Sequence, residues 1–156
     1  MNTADMLRVA LMALHVLAGA AWFGSMFYSI FVLYPRLCRF FDDIGERERF
    51  VLVLSHGARL HMIAAMTLVA LSGLGLLLMP RDRMTAAWLI LVGVKAALLI
   101  TSVVFFWRIS WHWWPARLFA LETELPAIHR RFRIAGACML VLVGLNAALG
   151  VIARVT

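Results

Sequence analysis

Charge is scarce along most of this chain. Residues 9–35, 60–80 and 134–153 contain no Asp, Glu, Lys or Arg, and 84–107 contains only Lys95, the single lysine among 156 residues. Each run reaches the ~20 apolar residues that cross a bilayer. With 64% hydrophobic residues and a mean hydropathy of +0.91, a water-soluble domain is excluded. Four spans use most of the length, leaving no room for an extramembrane domain. With two cysteines in neither metal nor redox spacing, a zinc site or disulfide scaffold is also excluded, and Cys38 and Cys138 read as small apolar fillers. There is no phosphate-binding glycine pattern, no nucleophile motif and no internal repeat. A nucleic-acid partner is excluded too, because the formal charge of +7 has no soluble surface on which to gather.

What is present describes an all-α transmembrane four-helix bundle, one integral domain over 1–156, with spans at about 8–34, 58–79, 85–108 and 134–154. The first apolar run is too long for the 7–15-residue core of a signal peptide, so it reads as a retained span. Arg36, Arg39, Arg47, Arg49, Arg59, Arg108, Arg117, Arg130, Arg131 and Arg133 fall in the first and third loops or their flanks. Arg8, Arg81, Arg83 and Arg154 fall on the opposite side. The bias places those loops in the cytoplasm and both termini outside, in a bacterial inner membrane whose anionic lipid is a partner. Trp88 marks the outer end of the third span. Trp107, Trp111, Trp113 and Trp114 mark its inner end, where Pro115 is expected to stop the helix. The first loop reads as a solvated turn leading into a helix that starts before the membrane, and the third as a short surface helix with a break.

The few polar groups inside the spans share a level. At 1.5 Å per residue, His15, Ser72 and Asn146 lie roughly 9–11 Å from the outer ends of their spans and Lys95 roughly 15 Å. His61, at roughly 27 Å, stands apart and reads as an interhelical hydrogen bond or a second metal site with Arg59 nearby. Helical spacing places His15, Gly19, Trp22, Met26 and Ser29 on one stripe, and Trp88, Lys95, Ser102 and Phe106 on another. A third holds His61, Ala65 and Ser72, and a fourth Ala135, Met139, Asn146 and Gly150. Small residues beside polar ones allow close helix approach, or room for a flat ligand edge-on.

A buried ammonium costs several kcal/mol unless partner, water or function offsets it, which makes Lys95 the principal functional pointer. It could be a distal ligand, a counter-ion to a propionate or a proton carrier. An intramembrane imidazole such as His15 either bonds across helices or ligates haem iron. Trp22 would pack on a ring edge, with Ser72 and Asn146 as hydrogen-bonding groups. A methionine cluster of Met6, Met79 and Met84 at the outer face could instead pass copper to His15. A cofactor-free accessory subunit of a membrane complex, in which His15 and Lys95 merely pair across helices, is the third reading.

The segment from His15 through Trp22-Phe23-Gly24 to Phe27-Tyr28 resembles the first helix of HemJ-type protoporphyrinogen oxidases and CopD-like membrane proteins. Tyr34-Pro35-Arg36-Leu37, Arg59-Leu60, Trp88 and Val94-Lys95 are similar to further elements of that superfamily, and the resemblance covers about residues 10–105. It implies haem b on His15, a functional Lys95, and oxidation of a porphyrinogen or electron transfer to a quinone or another membrane partner. CopD-like proteins imply copper transport or resistance. The HemJ-type Asn-Glu-x-Pro-Thr motif is absent, the region reading Glu124-Leu-Pro126-Ala-Ile-His129-Arg-Arg. A haem-binding relative with another electron partner is therefore the expectation, as a monomer or a homo-oligomer.

Overall fold

The computed structural model describes residues 2–79 and 85–155, the side chains of 154 and 155 excepted. Arg81, Arg83, the Arg154 side chain and Met84 of the expected methionine cluster therefore lie outside the described residues. The elements are α1 (Thr3–Phe27), a π-helical segment (Tyr28–Leu33), α2 (Tyr34–Phe40), α3 (Ile44–Leu54) and α4 (Ala58–Leu78). There follow α5 (Ala86–Arg108), a second π-helical segment (Ile109–Trp113), α6 (Trp114–Leu118) and α7 (Leu125–Val155). Four helices are long and apolar enough to cross a membrane: Thr3–Phe40, Ala58–Leu78, Ala86–Leu118 and Leu125–Ile152. The protein is thus all-helical among the described residues and reads as multi-pass. Leu, Ile, Val and Phe side chains remain exposed along all four spans, as they do where the surrounding solvent is hydrocarbon.

Caps define the helix starts. Asn2 opens α1 through a capping box with Asp5, Asp43 accepts the Glu46 N–H at 2.9 Å to open α3, and Thr85 accepts the Trp88 N–H at 3.1 Å to open α5. Gly57, at φ +81°, turns the chain between α3 and α4 in a conformation that costs a side-chain-bearing residue energy.

Proline does not stop the spans where the sequence predicts. Ahead of Pro35, the Tyr34 N–H bonds the Ser29 carbonyl five residues back. Ahead of Pro115, the Trp114 N–H bonds Ile109 in the same way. Each wide turn lets the proline enter as one of the first residues of α2 or α6, where its missing N–H leaves no gap in the ladder. The third span consequently runs ten residues past its expected end at 108, and the first runs six past 34. The third loop also differs from expectation. It is a short turn over 119–124, with Pro126 inside the start of α7.

α1 packs most extensively on α4, α5 on α7, and α1 joins the two pairs through α7. Glycines set the close approaches. A Cβ on Gly73 would lie 3.1 Å from the His15 ring, one on Gly75 3.1 Å from Leu11, and one on Gly144 3.3 Å from Phe23. Trp22, Met66, Met139 and Val143 form the central core, with Leu99, Phe105, Phe106 and Ile109 of the third span packed against it. These contacts make neighbouring spans antiparallel, so both termini share one end of the bundle (the termini end) and α2, α3 and α6 cap the other (the loop end).

Candidate functional site

Towards the termini end, each helix pair carries one interhelical polar link. On α1, His15 is half-buried and its Nδ1 lies 3.0 Å from Ser72 Oγ on α4. The Ser72 hydroxyl is fully buried and lies within hydrogen-bond reach of the Leu68 and Val69 carbonyls of its own helix. With those carbonyls at hand for the hydroxyl proton, Nδ1–H can donate to Ser72 Oγ, the tautomer that would leave the imidazole lone pair on Nε2. On α5, Lys95 Nζ donates to the Asn146 carbonyl of α7 at 2.8 Å, and Asn146 Nδ2 returns a bond to the Lys95 carbonyl at 2.9 Å. Nζ sits where a Cβ on Gly150 would be, at 2.9 Å. No carboxylate pairs with this ammonium among the described residues.

The predicted residues divide accordingly. His15 and Ser72 meet directly, as do Lys95 and Asn146. Trp22, on the His15 stripe, lies in the core beside Met66 and Met139. Its Nε1 is buried without a hydrogen-bond partner. Gly19 has open space where a Cβ would be, so it supports no close approach. His61 is the exception. Its ring is exposed and Nδ1 lies 3.0 Å from the carbonyl of Gly57, within its own segment. It makes no interhelical bond among the described residues, its partner being the N-cap carbonyl of its own helix, which also accepts the Leu60 N–H at 3.0 Å. Arg59 reaches away instead, giving a 2.9 Å bond to the Ser110 carbonyl and lying 4.9 Å over Trp111. Ser29 is exposed, and its hydroxyl donates to the Ser25 carbonyl of its own helix at 2.8 Å. Cys38 and Cys138 are free and exposed, not core fillers.

The loop end holds a cluster that sequence reasoning missed. Arg117 of α6 grips Glu48 of α3 with two bonds, Nε to Oε1 at 2.6 Å and an Nη to Oε2 at 2.8 Å. His129 of α7 bonds the same Oε2 through Nε2 at 2.6 Å. All three side chains are buried. Burial pushes the Glu48 carboxyl up, but the hydrogen bonds from His129 and Arg117 and the guanidinium charge outweigh it, holding Glu48 at about 2. Trp114 and Phe132, packed edge to face on one another, both lie against the Arg117 guanidinium at 5.3 and 5.1 Å. A charge read as topological is therefore consumed internally. The available signal was the α3 face Ile44, Glu48, Val51 and Leu52, where a carboxylate interrupts an apolar helical stripe.

Compared with known proteins, the chain matches no family model, no curated protein and no solved structure.

Proposed function

We propose that this protein is an integral-membrane redox protein that holds haem b on His15. The observation that carries this reading is the Ser72 bond. With the ring proton on Nδ1, that bond orients the ring and leaves Nε2 as a basic ligand, the arrangement that metal-ligating histidines share. The remaining residues fit the group. Trp22 Nε1 is an orphaned buried donor on the same stripe, and Lys95 retains two N–H donors and a positive charge suited to a carboxylate such as a propionate. Haem would supply a one-electron couple. The chain's part is to orient His15 through Ser72, to hold Lys95 through Asn146 and Gly150, and to enclose the site in hydrocarbon. A quinone or another membrane carrier is the electron partner this placement suits, and the resemblance to HemJ-type and CopD-like proteins supports the same class. We infer further that the loop end faces the cytoplasm of a bacterial inner membrane, since nine arginines besides the internally paired Arg117 belong to that end.

A second reading has its own observation. Both polar links tie one helix to its neighbour, which is what a cofactor-free accessory subunit would need. The reduced-minus-oxidised visible spectrum of the detergent-purified protein, with metal analysis on the same sample, separates the two. Haem b bands that disappear in His15→Ala support the proposal. A colourless protein holding copper overturns it in favour of transport, and one holding neither leaves the accessory role.

A further inference from the structure

A cleft of about 360 Å³ opens between the third and fourth spans at the loop end, on the opposite half of the bundle from His15. It is lined by Phe105, Trp113 and Ile134, by the exposed Cys138 nearer the bilayer centre, and by Arg130 and Arg131 towards the loop end. No acidic side chain lines it. We propose that this cleft binds one anionic phospholipid, its phosphate at the two arginines and an acyl chain along α7.

Three features support that occupant. First, Arg131 is held 3.9 Å over the Trp113 ring, which fixes the guanidinium plane and leaves its N–H fork to a phosphate. Second, neither arginine is in an ion pair among the described residues, so the mouth carries uncompensated positive charge. Third, polarity changes along the helix axis. Residues 127, 130, 131, 134, 135 and 138 form one face of α7, charged at one end and apolar for about 12 Å beyond it. That gradient has the direction and scale of a lipid lying in its own leaflet, and basic pockets between membrane helices are established headgroup sites. A zwitterionic lipid carries the same phosphate but brings a quaternary ammonium for which the cleft offers no acidic partner. The other cleft described, beside Phe41 and Phe50, includes Glu46 and lacks this charge pattern.

Native mass spectrometry of the full detergent-purified chain tests the assignment, with added phosphatidylglycerol, phosphatidylcholine or inorganic phosphate. One retained phosphatidylglycerol per chain is expected, with affinity reduced at least tenfold in the double variant Arg130→Gln/Arg131→Gln. Equal retention of phosphatidylcholine, or unchanged binding in the variant, overturns the proposal. Displacement by millimolar inorganic phosphate alone also overturns it, by reducing the site to an anion site. A second measurement does not depend on the variant folding. In a Cys38→Ser background, phosphatidylglycerol is expected to slow alkylation of Cys138 severalfold relative to phosphatidylcholine. Equal rates, or equal protection by a quinone, overturn the lipid assignment.

Discussion

The two ends of this bundle handle buried polarity in opposite ways. At the loop end, Glu48, Arg117 and His129 neutralise one another through three hydrogen bonds and join α3, α6 and α7. At the termini end, His15 and Lys95 never meet a counter-charge. Each takes neutral partners and keeps valence in reserve, a lone pair on Nε2 when the ring proton is on Nδ1 and two donors on Nζ. The loop end is therefore a fastening, complete in itself, whereas the termini end retains the unspent bonding capacity that a ligand would use.

Removing one member of the fastening gives the largest expected effect. Glu48→Ala leaves Arg117 buried without its counter-charge and is expected to cost about 3–5 kcal/mol, measured by thermal unfolding in detergent. His15→Ala, which strands only a serine hydroxyl with carbonyl partners still at hand, is expected to cost much less in the same assay. Equal losses at the two ends would erase the distinction. The fastening also has an acid limit. The Glu48 carboxyl sits near pH 2 against an ordinary value of 4.5, so the unfolded state binds its proton first as pH falls. Its stabilisation is complete above about pH 4.5 and is lost progressively towards pH 2. The Glu48→Gln variant is expected to lose that part of the acid dependence.

Smaller changes sharpen the contrast from the other side. Gly73→Val places methyls against a ring already 3.1 Å from a Cβ, and is expected to destabilise by about 1–3 kcal/mol while displacing His15 from Ser72. Removing the α3 cap with Asp43→Ala is expected to cost about 1 kcal/mol. The smallest stability effect is expected from Gly150→Ala, because the atom it meets is the mobile tip of Lys95. That variant shifts the ammonium by a few tenths of an ångström while it keeps the Asn146 carbonyl, so any spectral or redox signal tied to Lys95 is expected to change while the melting temperature does not.

The spans were legible because apolar runs of that length have few alternative uses. The inward stripes of α5 and α7 were legible as well. Trp88, Ser102, Ala135 and Met139 are buried as helical spacing requires. Depth put His15, Ser72, Lys95 and Asn146 near one level but did not say which would meet, and the pairs are His15 with Ser72 and Lys95 with Asn146 rather than His15 with Lys95. The loop-end cluster did not follow, because Glu48 lies 69 residues from Arg117 and 81 from His129. Each also sits among other charged residues that mask it. Nor did Tyr34-Pro35 and Trp114-Pro115 announce continuation, since the usual rule for an interior proline takes no account of a π turn placed before it. His61 shows the reverse failure. Depth counting set it aside correctly, but its partner was a helix-end carbonyl that span counting does not represent.

Those π turns have a mechanical consequence. They make the first span one continuous rod of 38 residues, about 57 Å long against a hydrocarbon slab of about 30 Å. Such a rod is a lever with its fulcrum in the bilayer. A rocking of about 5° at the His15 end sweeps the far tip through several ångströms, among the arginines beyond the opposite headgroups.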